Sequence, residues 1–193
     1  MRRIVRRVTT FRAVTILVHR FLARAIDRVS LDLRRVTPDN VGDASSMDDA
    51  ARIEEFRRFL ARGDEGYYVY DQAGAVVHRT WCVRGPGMAR LWHSYGRLVV
   101  GEGDVYIHYC ATAPGARGQG IYPRVIAQVA EDALSRGARR VLIWADRENV
   151  ASQRGIARAG FVPDRAVTLA IRFGVGSQRE REFAVPEEGA RVG

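Results

Sequence analysis

The chain has 193 residues, enough for one domain with a core of useful size, and its apolar content is that of a globular protein. Its net charge of +9 is lodged at the start: residues 1–36 hold ten arginines against Asp27 and Asp32, leaving 21 arginines against 20 acids in the rest. Two cysteines, Cys82 and Cys110, stand at no metal-ligand spacing and read as buried thiols in a reducing compartment; zinc sites, Walker loops, dinucleotide fingerprints and bilayer-spanning runs are absent from the pattern.

Residues 13–29 place Val14, Leu17, Val18, Phe21, Leu22, Ala25, Ile26 and Val29 on one helical stripe, with Arg20, Arg24, Asp27 and Arg28 mostly opposite. The spacing predicts a basic amphipathic helix or arm over 1–29. Three roles are open to it: packing on the domain or on a second copy in a homodimer, lying on an anionic membrane surface, or neutralising nucleic-acid phosphates. Aromatics interleaved for base stacking are missing, which disfavours nucleic acid.

Leu31–Val36 then alternates like a strand, stopped by Thr37-Pro38-Asp39, and Met47–Ala61 carries Ile53, Phe56, Phe59 and Leu60 at helical spacing. Tyr67–Tyr70 and Ala75–Val83 read as a hairpin turning at Asp71–Gly74. Residues 84–103 are Gly-rich and carry no assignable pattern. Tyr67, Tyr68, Trp81, Trp92 and Tyr95 either fill the core or line a pocket with an apolar face. Val167–Phe173 closes the sheet, and residues 174–193 are expected to form a poorly ordered tail, which leaves 30–173 as the main domain.

The most informative stretch is 105–124. Val105 to Cys110 is a strand, Pro114-Gly115 stops it, and from Ile121 the apolar positions Val125, Ile126, Val129, Ala133 and Leu134 follow a helix. Arg117, Gly118 and Gly120 lie between. The first amides of a helix lack intrahelical partners and face the positive dipole end, and glycine lets an anion approach the backbone. Pro123 suits a first turn. The stretch is either a phosphate-cradling loop or an ordinary strand-to-helix turn. A second unit follows: strand Val141–Ala145, Asn149 as N-cap with Ser152 three positions on, and Gly160-Phe161 ending the helix.

In this order, Pro114, Arg117, Gly118 and Gly120, then Asn149, Ser152, Gly160 and Phe161, resemble the GNAT superfamily of acyl-CoA-dependent N-acyltransferases over roughly residues 30–173. The resemblance implies an α/β fold of the α+β type, a mixed and mostly antiparallel central sheet flanked by helices and splayed between the Val105 and Val141 strands. It implies acetyl-CoA as co-substrate, no metal, and direct attack by an amine in a ternary complex. The pyrophosphate would rest on Arg117, Gly118, Gln119, Gly120, Ile121 and Tyr122, the pantetheine arm along Cys110, Ala111 and Thr112, with Asn149 and Ser152 at the second motif. Two positions depart from the family pattern: Tyr122 stands where a small residue is usual, and Ile156 where many members carry a Tyr that protonates the departing thiolate.

His108 is the first candidate base and His78, on the neighbouring strand, the second, since an imidazole can titrate near neutrality; for each the competing reading is structural, for His108 a core or hairpin-facing histidine hydrogen-bonded to backbone. Tyr109 and Tyr122 are the candidate stand-ins for the missing acid. The expected acceptor is a primary amine of a small molecule, an amino sugar ahead of a peptide or antibiotic amine, in a cytoplasmic enzyme with peripheral membrane contact through residues 1–29. The competing reading is a catalytically weak GNAT-fold CoA-binding or regulatory protein docked through its basic N-terminal helix.

Overall fold

The computed structural model describes residues 12–27, 30–91, 96–172 and 175–184. Residues 1–11, Arg28, Val29, Trp92, Tyr95, Phe173, Gly174 and the stretch from 185 onward, which enter the expectations above, lie outside the described residues. In chain order the elements are β1 (Arg12–Phe21), β2 (Asp32–Arg35), α1 (Ala50–Ala61), β3 (Glu65–Tyr70), β4 (Val76–Arg84), β5 (Gly87–Leu91), β6 (Gly96–Val100) and β7 (Asp104–Thr112). After them come α2 (Ile121–Ser135), β8 (Arg140–Asp146), α3 (Val150–Arg158), β9 (Phe161–Arg172) and β10 (Val175–Glu182).

Eight strands form one sheet in the order β10-β9-β1-β8-β7-β4-β3-β2, and β5–β6 make a separate hairpin. Every neighbouring pair is antiparallel except β7–β8, which is parallel. That parallel step is short. It runs from Asp104↔Arg140 to Ile107↔Ile143 and stops, so beyond Ile107 β7 stays with β4 while β8 continues along β1. The sheet therefore opens between the Val105 and Val141 strands, as expected.

Helices cover both faces. On one, α2 packs Val125, Ile126 and Val129 onto Val69, Cys82, Val105, Ile107 and Val141, with Ile156 of α3 in the same cluster. On the other, α1 buries Ile53, Phe56 and Phe59 against Tyr68, Tyr70 and Trp81. The Asp49 carboxylate caps α1 by accepting from the Arg52 N–H at 2.8 Å, a contact worth about 1 kcal/mol. Leu98 and Val100 of β6 cover the α1-side face of β1, β8 and β9. Tyr67, Tyr68 and Trp81 are thus core residues.

Two expectations are corrected, and one unassigned stretch gains its elements. The helix read over 13–29 is strand β1 as far as Phe21, wedged between β8 and β9. A central strand is covered on both faces, so its apolar run is nearly continuous and mimics a helical stripe. Residues 12–21 accordingly belong to the main sheet and not to an arm. The tail forms β10, which pairs with β9 from Val175↔Arg172 to Glu182↔Arg165. Its Arg–Glu alternation is what an exposed edge strand carries to discourage further pairing. Within 84–103, the unassigned residues supply β5 and β6.

The candidate active site

β7 ends in a one-residue bulge. Arg79 opposes Ala111 and Trp81 opposes His108, so Tyr109 and Cys110 together face Thr80. Tyr109 adopts φ +52, a left-handed conformation costly for a non-glycine residue. The Arg79 guanidinium holds it there, donating to the Tyr109 carbonyl at 2.5 Å while gripping Asp48 at 2.6 and 3.0 Å. Past the bulge, the β8-facing edge of Cys110–Thr112 has no strand partner among the described residues.

The chain then makes one 3-10 turn (Pro114–Ala116) and enters α2 through Gly118 at φ +78 and Gly120, the N-cap, at φ +71. Among the described residues, no protein acceptor takes the N–H groups of Gly118, Gln119, Gly120, Ile121 or Tyr122. No acid sits in the first turn of this 15-residue helix. Arg117 folds back to the Thr112 carbonyl at 3.1 Å. Arg124 reaches over the loop: its Nη1 donates to the Gln119 carbonyl at 2.7 Å, and its buried Nε has no partner. Free amides, a helix dipole and a part-used guanidinium make a cradle whose donors match a diphosphate. Arg124 was not singled out in the sequence; its place one turn into the helix is the signal that could have found it.

The two candidate bases sit on opposite faces. His78 lies on the α2 side, its Nδ1 2.7 Å from the Thr112 hydroxyl and its Nε2 2.9 Å from the Thr80 hydroxyl, which itself donates to Cys110 Sγ at 3.5 Å. With the Thr80 proton spent on sulfur, Nε2–H donates to Thr80 and Nδ1 accepts from Thr112. Both nitrogens are engaged. Burial, aided by the Arg79 charge, pushes the imidazole down to about 3. His108 lies on the α1 side, stacked on Tyr106 (5.8 Å between centroids) and bordered by Phe59 and Tyr109. Its Nε2 has no hydrogen-bond partner and stands 3.7 Å from Asp64 Oδ2, whose carboxylate is gripped by Arg62. Burial, with the Arg62 charge, pushes it to about 3 as well. Neither ring offers a free, basic nitrogen to an incoming amine in this arrangement.

Tyr109 points toward α1 and donates to Glu55 Oε1 at 2.5 Å, with the Arg52 guanidinium 5.2 Å above its ring. Burial and the bond to Glu55 raise its pKa. Tyr122 turns away from the cradle and packs against Gly155 of α3 and, 6.1 Å between centroids, the His78 ring. This explains how a phenol is tolerated at a position where a small side chain was expected: the ring leaves the phosphate side open. Asn149 caps α3, its Oδ1 accepting from the Ser152 N–H at 3.1 Å. Gln153, not anticipated, ties α3 to β8 through the Ala145 and Asp146 carbonyls at 3.3 and 3.0 Å. The structure thus gathers His78, Cys110, Thr112 and Tyr122 on the cradle side, and His108 and Tyr109 on the α1 side.

Residues 33–161 match the family model described as the acetyltransferase (GNAT) family. The chain belongs to the GNAT family. Among solved structures, this GNAT chain is similar to an acetyltransferase of that family from Colwellia psychrerythraea (TM-score 0.64, 17% identity, 85% of this chain and 57% of that one). It is also similar to aminoglycoside 6'-N-acetyltransferase AAC(6')-Ih from Acinetobacter baumannii (TM-score 0.51, 11% identity, 69% of this chain and 91% of that one). A third is AAC(6')-Iy in complex with the bisubstrate analog CoA-S-monomethyl-acetylneamine (TM-score 0.52, 15% identity, 69% and 92%). At these identities the likeness concerns the fold, and the chain spans little more than half of the Colwellia protein. No curated protein matches the sequence.

Proposed function

We propose that this GNAT protein moves an acetyl or short acyl group from acetyl-CoA to a primary amine of a small molecule, by direct attack in a ternary complex. The observation that carries the reading is the run of unengaged amides from Gly118 to Tyr122 at the head of α2, with the unpaired Arg124 Nε beside it. When bound, acetyl-CoA supplies the activated acyl group. Gly118–Tyr122 and Arg124 would hold its diphosphate, and the unpaired edge of Cys110–Thr112 would align its pantetheine amides. That edge also offers a fixed N–H to charge developing on the acyl oxygen.

On the acceptor side, the bulge presents Tyr109 bonded to the partly exposed Glu55 carboxylate, an acid that an ammonium can approach, with the Asp48–Arg79 pair largely buried beneath it. The similar structures that act on aminoglycosides support an amino sugar as the acceptor class. With both imidazoles held neutral and enclosed, the ammonium proton leaves through water or the Glu55 carboxylate.

Acetyl-CoA should raise the melting temperature of the wild-type protein and leave Gly120→Glu unshifted. Only glycine is at ease at φ +71, and any Cβ there meets Arg124 Nη1 at 2.9 Å, before the carboxylate adds its charge to the anion site. Stabilisation that survives Gly120→Glu overturns the cradle assignment. Thiol release on a panel of amines then tests turnover. Tight acetyl-CoA binding with no release across a broad panel would favour a CoA-binding regulatory protein, the reading Ile156 supports.

A further inference from the structure

Near the splayed end of β7, the described side chains with a transferable hydrogen differ in what already holds them. Thr80, Thr112 and His78 are tied to one another. Tyr109 is on the α1 side and bonded to Glu55. Tyr106 is 1% exposed, and its hydroxyl is sealed with no partner. Tyr122 is different. Its ring is largely enclosed, its surroundings include the Cys110 thiol, and its hydroxyl is bonded to none of these neighbours.

The seat of that ring is specific. An added Cβ on Gly155 would fall 2.6 Å from Tyr122 Cδ1 and 2.8 Å from Cε1, inside the ring's van der Waals surface. Gly155 lies inside α3, in ordinary helical backbone, where glycine costs about 1 kcal/mol relative to alanine. No backbone demand calls for it. Its one structural return is room for the Tyr122 ring, against the turn of α3 that also carries the apolar Ile156.

Aminolysis of a thioester forms a C–N bond and breaks a C–S bond. The sulfur leaves with the bonding pair and takes one proton, and the amine releases one. We propose that Tyr122, seated over Gly155, is the hydroxyl that gives the CoA sulfur its proton and is then reprotonated from solvent; this rests on the acyl transfer proposed above. Burial first, and Cys110 second, raise the phenol well above its ordinary pKa, so Tyr122 keeps its proton until charge gathers on the sulfur. The same dry surroundings raise the affinity of a departing thiolate for that proton.

The test uses CoA itself, whose thiolate absorbs in the ultraviolet, bound to the wild-type chain, Tyr122→Phe and Gly155→Ala. A hydrogen bond from Tyr122 stabilises thiolate, so the bound thiol should titrate about one unit lower in the wild type than in Tyr122→Phe. Gly155→Ala, which keeps the phenol but evicts the ring from its seat, should behave like Tyr122→Phe. On acetyl-CoA with an accepted amine, both variants should lose about 100-fold in kcat. The acetyl-CoA KM should stay within about twofold, and circular dichroism should show both variants folded. Equal thiol titration in wild type and Tyr122→Phe overturns the proposal, as does wild-type kcat in Gly155→Ala. A wild type that lowers the thiol pKa but acetylates no amine refutes the enzyme reading and leaves the Tyr122–sulfur contact standing.

Discussion

His78 and His108 show how burial redirects a residue's chemistry. Read from the sequence they are near-neutral bases; in the structure each is enclosed and held neutral down to about pH 3, and His19 is lowered in the same direction by its own burial. The unfolded chain binds protons on these rings near pH 6.5 while the native state does not, so their contribution to stability is complete above that pH and is lost as pH falls toward 3. Each of His78 and His108 should contribute a slope of about 1.4 kcal/mol per pH unit within that window. Urea midpoints measured between pH 7 and pH 5 should fall in the wild type and fall less steeply in His78→Gln and His108→Gln. A wild-type midpoint constant over that range would show that the rings are solvated. By the same reasoning, the pH dependence of turnover near neutrality should be unchanged by His78→Gln. The sequence named the right residue types near the splay, but it carried no sign of their enclosure, of the left-handed Tyr109, or of the unpaired Arg124 Nε.

At the scale of elements, the opening between β7 and β8 depends on how firmly their first residues are joined. Asp104, 0% exposed, accepts from Arg140 at 3.1 and 2.6 Å and from Arg139 at 3.3 Å, and its second oxygen takes the Gly101 N–H at 3.3 Å. Burial acts to raise this carboxyl, yet the Arg140 hydrogen bonds and the two guanidinium charges more than offset it and hold it below the usual range. Asp104→Ala would remove the buried acceptor at the root of the fork while Arg139 and Arg140 can still reach water, and should destabilise the protein by about 2 kcal/mol in chemical denaturation. A loss under about 0.5 kcal/mol would mean the clamp is dispensable. The loop into α2 and the Asn149 cap were legible in the sequence because they are local, each written in a few consecutive residues with a fixed backbone requirement. β1 and β10 were not, because strand identity there is decided by partners more than a hundred residues away (β1) or by an edge position that composition alone makes look disordered.

For the molecule as a whole, β1 lies third from one edge of an eight-stranded sheet, with five strands beyond it on the far side. A chain beginning at residue 30 would leave facing edges of β8 and β9 without the strand that pairs with both, and expose Leu142, Val167 and Leu169 where Ile16 and Val18 now pack. It should be insoluble or lack a cooperative thermal transition, whereas a chain beginning at residue 10 should melt cooperatively. A soluble, cooperatively melting product from residue 30 would restore an independent domain over 30–173. Gly160 adds to this dependence. A Cβ there would lie 1.7 Å from the Ala23 carbonyl oxygen, and the Leu22 N–H donates to the Gly160 carbonyl at 3.1 Å, so the segment after β1 is fastened to the end of α3.

That placement imposes an order on synthesis. The ribosome makes β1 ahead of the other described strands, and its partner strands start only at Arg140 and Phe161. At translation speeds of about 5–20 residues per second, the nascent Ile16-Leu17-Val18 segment waits on the order of ten seconds or more before either neighbour emerges. During that interval it is an unsatisfied β-ribbon beside a cluster of arginines, and like charge on neighbouring nascent chains is what would keep it from pairing with its own kind.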